Sequence, residues 1–150
     1  MTSEAEVEAR MFKKVLVATD GSAHAKRALK QAVQMVGPYR AQVQMDLVYC
    51  IDGETSKADI LRHGDATTAD AKRKEMFAES LSYLAAQQIS AQSVFLHGAP
   101  AKTILNYVKE HSYDCVVVGS RGRNEWQTLV LGSVSHKLAK YVEVPLLIVK

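Results

Sequence analysis

Five short apolar runs alternate along the chain with stretches in which apolar residues recur every three or four positions. The first run, Lys13 to Thr19, reads Lys-Lys-Val-Leu-Val-Ala-Thr between polar neighbours, the pattern of a strand covered on both faces of a parallel sheet. After Asp20-Gly21-Ser22, the spacing of Ala25, Ala28, Leu29, Ala32, Val33 and Val36 predicts one helix face, which Gly37-Pro38 stops. A second strand is expected over Val43 to Ile51. The segment Asp52 to Asp65 has no hydrophobic period and reads as a mobile loop. A helix from about Thr67 to Gln88 would turn Phe77, Leu81, Leu84 and Ala85 inward and leave the charge run Lys72, Arg73, Lys74 and Glu75 solvated. A third strand is expected at Ala91 to His97.

Gly98 and Pro100 mark the turn into a further helix, on which Ala101, Ile104, Leu105 and Val108 share a face. The β-branched run from Asp114 to Val118 fits a fourth, central strand, and Pro145 to Val149 gives a fifth after a helix from about Ser133 to Tyr141. The order βαβαβαβαβ predicts a single α/β domain: an open five-stranded parallel sheet with helices on both faces and ligands held outside the carboxyl ends of its strands. Asp20 and Gly119 both fall at such ends. Residues 12–150 form the expected domain, and residues 1–11 a flexible, acidic N-terminal tail.

Composition narrows the class. At 47% hydrophobic and 23% charged, the 150-residue chain has the composition of an ordinary globular domain. Its net charge of +3 is spread over scattered basic residues, so no nucleic-acid partner is indicated. No apolar stretch reaches the roughly 20 residues of a membrane-spanning helix, and the start of the chain lacks the basic-then-apolar order of a signal peptide, so a cytoplasmic location without membrane association is expected. Cys50 and Cys115 lie in apolar surroundings and read as small buried hydrophobes, not as a disulfide framework.

The candidate chemistry follows the fourth strand, where Gly119-Ser-Arg-Gly122 and, nine residues on, Gly132-Ser133 form Gly-x2-Gly-x9-Gly-Ser. Glycines at a strand-to-helix connection admit positive φ and close backbone approach, and consecutive N–H groups can cradle an anion. The last Gly-Ser opens a helix, whose unpaired N–H groups and dipole favour phosphate, with Arg121 and Arg123 nearby. Spacing alone leaves a second reading level with this one: the glycines shape a turn and Ser133 caps its helix. Asp20 likewise has two readings, as an acceptor for an adenine amino group or ribose hydroxyl, or as a helix cap.

The combination of Val-Leu-Val-Ala-Thr-Asp20-Gly-Ser, Val-Val-Val-Gly119-Ser-Arg-Gly122-x9-Gly132-Ser133 and Val-Pro-Leu-Leu-Ile-Val resembles the universal stress protein family over residues 12–150. The resemblance implies a Rossmann-like, adenine nucleotide alpha hydrolase-like fold and, because the glycine pattern is complete, membership of the ATP-binding branch. It implies that Gly119, Gly122, Gly132 and Ser133 line the phosphates of ATP, carried with Mg2+ or Mn2+. Ala18, Thr19 and Asp20 would flank adenosine, and the backbone at Cys50 would meet adenine. Val118, Ser120, Arg121, Val134 and Ser135 would complete the wall. Family habit and the apolar strand Val144 to Val149 together suggest a homodimer through a sheet edge.

Other nucleotide signatures are missing. There is no Gly-x4-Gly-Lys-Ser/Thr, no Gly-x-Gly-x2-Gly after the first strand, and neither Ser-Gly-Gly-x-Asp-Ser nor His-Ile-Gly-His. The five histidines lack zinc-site spacing. Trp126, inside the glycine segment, fits either a shield over a nucleotide or packing on a neighbour. In-line phosphoryl transfer needs a positioned metal and a residue that orients water, and neither is evident. The sequence therefore reads as a stress-response binding protein and not an established enzyme, with a slow ATP hydrolase and a nucleotide-free dimeric interaction module as alternatives.

Overall fold

Each expected apolar run becomes a strand of one parallel sheet. A computed structural model describes residues 12–120 and 132–150, the side chains of residues 54–56, 58 and 59 excepted. In chain order the elements are β1 (Lys14–Ala18), α1 (Ala23–Val36), a 3-10 helix (Gly37–Gln42), β2 (Gln44–Ile51), α2 (Gly53–His63) and α3 (Ala66–Ala86). Then come β3 (Ser90–His97), α4 (Pro100–His111), β4 (Cys115–Gly119), α5 (Ser133–Tyr141) and β5 (Leu146–Val149).

The sheet order is β3-β2-β1-β4-β5, with every neighbouring pair parallel. β1 and β4 run side by side in its interior, Val17 opposite Val117, and are almost wholly buried, which is why both read as continuous apolar runs. The chain leaves β1 toward one edge and returns through β4 toward the other. The order therefore switches between these two strands, and in open sheets the crevice at such a switch point receives ligands.

Two hydrophobic layers cover the sheet. On one face α1 and α3 bury Ala28, Ala32, Val36, Phe77 and Leu84 against Val15, Val17, Met45 and Tyr49, with the rings of Tyr49, Phe77 and Phe95 meeting edge-on. On the other, Ile104 and Val108 of α4 and Leu138 of α5 pack on Leu16, Val48, Val116 and Val118. Asp46 is the exception within this apolar sheet. It is fully buried in β2, where Tyr113 donates its hydroxyl at 2.5 Å and Gln44 its amide at 2.9 Å, so its acceptors are met. The carboxylate partner and burial push the Tyr113 hydroxyl far above its ordinary pKa, burial contributing most.

Three expectations are corrected. Asp52 to Asp65 is not a loop: Gly53–His63 is helical, packs on α3 and ends at Gly64, whose φ of +94° closes the turn as its N–H bonds Ile60 O at 2.7 Å. Its large apolar residues, Ile60 and Leu61, are adjacent, so no period betrayed it. Leu61 stays exposed, so support from α3 and not a stripe of its own holds the helix. On α3 the inward line is Ala69, Arg73, Phe77 and Leu84, with Leu81 partly buried against the same core as expected, while Ala85 faces solvent. Arg73, expected on the solvated face, is buried and donates to Asp70 Oδ1 at 2.6 Å, whereas Lys72 and Glu75 do pair at the surface.

Candidate functional site

The carboxyl ends of β1 and β2 are unequal, and the difference opens the site. β1 ends at Ala18, and the N–H of Thr19 makes a last bond to Val48 O at 2.8 Å, while β2 continues to Ile51. Backbone groups alternate sides along a strand, so Cys50 points its N–H and C=O the same way as Val48, into the gap beyond Thr19. Ile51 points the other way, its carbonyl accepting from Gly98 N–H at 3.1 Å. The Cys50 thiol is half-buried against Pro100 O at 3.8 Å, and burial, followed by the Asp52 carboxylate, pushes its pKa up to about 11. It stays protonated at neutral pH and acts as a packing group.

Beyond Thr19 the chain turns on Asp20 and Gly21. Asp20 Oδ1 accepts from Ser22 N–H at 2.9 Å, an Asx turn, and Ser22 Oγ accepts from Ala25 N–H at 3.1 Å. Ser22, and not Asp20, is thus the cap of α1. Gly21 has φ +78°, and a Cβ there would run into the sulfur of Met76 on α3. Asp20 and Gly21 also border a cavity of about 300 Å³ under α3, shared with Lys26, Tyr49 and Arg73.

Opposite, β4 delivers Val118, Gly119 and Ser120. Gly119 has no positive φ; a Cβ on it would lie 3.0 Å from both the backbone carbon and the Cβ of His24. The first turn of α1 therefore needs glycine here, a contact no local pattern announces. Ser120 N–H bonds Val149 O at 2.7 Å, and Ser120 O accepts both Gly132 N–H at 2.7 Å and Ser135 Oγ at 2.8 Å. Ser135 is buried, and its single hydroxyl proton is shared between Ser120 O and Gly132 O, the latter at 3.1 Å. These bonds hold the start of α5 beside the end of β4. Gly132 is the helix cap and offers no side chain, so Ser133 is the first helical residue and does not cap. The first bond within α5 runs from His136 N–H to Gly132 O, which leaves the N–H groups of Ser133, Val134 and Ser135 ahead of the helical ladder.

The sheet thus gathers Ala18, Thr19, Asp20, Cys50, Val118, Gly119, Ser120, Gly132, Ser133, Val134 and Ser135 at one edge, with Ala18, Val48, Cys50, Val118 and Val134 in the same apolar layer under α4 and α5. Arg121, Gly122, Arg123 and Trp126 lie outside the described residues. Gly98 escaped the site reading, although His97-Gly98-Ala99-Pro100 carries its signal. Its φ is +138°, it bonds the end of β2, and it borders a cavity of about 660 Å³ with Asp52, Arg73 and His97. Among the described residues no three His, Cys, Asp or Glu side chains gather to hold a metal ion, and no helix is long and apolar enough to cross a membrane.

Known proteins share this fold. The family model described as the universal stress protein family matches residues 11–150. Universal stress protein YxiE of Bacillus subtilis is 33% identical over 152 residues, covering 93% of this chain and all of that one. Among solved structures, universal stress protein UspA from Lactobacillus plantarum superposes with a TM-score of 0.78 at 20% identity, covering 93% of this chain and 98% of the other. A universal stress protein in complex with cAMP gives 0.67 at 22% identity, with 93% and 97% covered. A family protein from Arabidopsis thaliana with AMP bound gives 0.64 at 20%, with 92% and 91% covered.

Proposed function

The chain belongs to the universal stress protein family, and on that premise we propose that it is a stress-response protein that holds ATP at the carboxyl ends of β1 and β4. The observation that carries this reading is the junction at Ser120. By binding Gly132 and Ser135 together, its carbonyl fixes the leading N–H groups of α5 beside the strand switch point, where they can receive phosphate. The backbone of Cys50, turned into the gap beyond Thr19, supplies one donor and one acceptor for an adenine edge. Asp20, at the exit of β1, would accept from the ribose or the adenine amino group. Relatives of the same fold bound to cAMP and AMP support an adenine nucleotide as the ligand class. Gly122 and Arg121 join this proposal through the glycine motif. Mg2+ or Mn2+ would arrive on the phosphates, as Mg2+ commonly does, in place of a cage of protein ligands.

For Gly119 the packing on His24 explains the glycine without any ligand. Among the described residues the leading N–H groups of α5 have no such structural account. β5 lies at the edge of the sheet, and a homodimer through Val144–Val149 is part of the proposal, with sedimentation velocity as its test: a monomer at micromolar concentration contradicts it. Nucleotide binding is tested by mass spectrometry of small molecules released on denaturing the purified protein. Recovered adenine nucleotide supports the reading. A folded preparation that neither carries nor takes up ATP, ADP or AMP leaves a dimeric interaction module.

A further inference from the structure

Resting on that reading, we infer that the ligand reaches beyond its own phosphates: a groove between α4 and α5 fits the second half of a dinucleoside polyphosphate. Both helices follow strands of the parallel sheet, so both start at the carboxyl edge and run away from it in the same direction. Between them lies a cavity of about 570 Å³ that begins at Ser133 and Val134, where the proposed phosphates sit, and ends at Tyr141 and Glu143. Its walls repeat at helical spacing. Lys102 and Lys109 come from one side of α4, and Ser133, Lys137 and Tyr141, each four residues on, come from one side of α5.

From Ser133 to Tyr141 the groove follows α5 for on the order of 12 Å. That is more than the terminal phosphate of a mononucleotide would use, and suits a phosphate bridge followed by a second nucleoside. The chemistry of the walls is ordered to match. Lys102, Lys109 and Lys137 supply cations along the path, while the groove's carboxylates, Asp52 and Glu143, come from its two ends. At the far end the Tyr141 ring is 55% exposed, one of two large apolar side chains so exposed among the described residues, and Lys140 Nζ lies 5.2 Å from its centre. That cation lies over one face of the ring, so a base would stack on the other.

The test is calorimetric titration of the full chain with ATP and with diadenosine tetraphosphate, each with Mg2+, in the wild type and in a Lys109→Ala, Tyr141→Ala double variant. Both substituted side chains are exposed, so folding is preserved, and neither belongs to the proposed ATP contacts. The expected result is about tenfold tighter binding of the tetraphosphate in the wild type, the scale of a few exposed lysine–phosphate pairs and one stacked base. In the double variant, which keeps Lys102 and Lys137, the preference falls several-fold while ATP affinity is unchanged. ATP binding with no preference, or a preference undiminished by the double substitution, overturns this inference alone. Failure of a folded sample to bind either compound overturns the underlying ATP reading and this inference with it.

Discussion

The hydroxyl of Ser135 lies 2.8 Å from the carbonyl oxygen of Ser120, tying the first turn of α5 to the exit of β4 across fifteen residues of chain. That one bond, with the parallel bond from Gly132 N–H, sets where α5 begins and so where its leading N–H groups are presented. Ser135→Ala removes it while leaving Ser120 O bonded to Gly132. The expected cost is about 1 kcal/mol of stability, read from the urea midpoint, together with weaker ATP binding. Unchanged affinity in a destabilised variant would separate Ser135 from the site.

Gly119 is held to glycine by the backbone of His24. Because that neighbour is main chain, it cannot swing aside, and Gly119→Ala should cost roughly 1–3 kcal/mol even in the absence of nucleotide. Thermal unfolding of the nucleotide-free variant measures this. A melting temperature equal to the wild type's would mean that α1 yields and that the glycine serves only the ligand.

Gly21 combines a positive φ with an obstruction from Met76. Here the obstacle is a flexible side chain, so the two costs are separable. Gly21→Ala should destabilise the domain, and Met76→Ala in that background should recover the steric share but leave about 1 kcal/mol of backbone strain. A double-mutant cycle with no coupling between the positions would contradict the contact.

Acid should loosen the start of α3. Asp65 caps this helix, Oδ1 accepting Thr68 N–H at 2.6 Å, and that bond holds its carboxyl below the ordinary value of 3.8. A folded pKa below the unfolded one contributes stability above the unfolded value, and the contribution is lost as pH falls through the folded pKa. Between about pH 5 and pH 3 the stability of the wild type should therefore drop more than that of Asp65→Asn, whose cap does not titrate. Parallel pH profiles of the two proteins would contradict the capping role.

The sheet was legible because strands buried on both faces are largely apolar, as Val15 to Ala18 and Val116 to Val118 are. The segment Ser133–Tyr141 was equally plain, since Val134 and Leu138 share one face of a short helix with a glycine at its head. α2 was not, because it leans on α3 and has no stripe of its own. Within the site, strand ends located Asp20 and Gly119, and the motif pointed to Gly132 and Ser133. Their working contacts are tertiary: His24 against Gly119, Ser135 on Ser120, and the unequal lengths of β1 and β2 that turn Cys50 into the gap. Residues 67 positions apart, Tyr113 and Asp46, show the same limit in the core, where a buried carboxylate interrupts an apolar strand and its partner comes from another element.

ATP is proposed to sit at the edge formed by β1, β4 and α5. Titration calorimetry of the folded, nucleotide-stripped protein with ATP and Mg2+ tests it most directly. Saturable binding at one site per chain is expected, weakened when Gly132→Val crowds the head of α5. A folded protein that gives no binding heat at any temperature tried, and no shift in its melting temperature with ATP present, would contradict it.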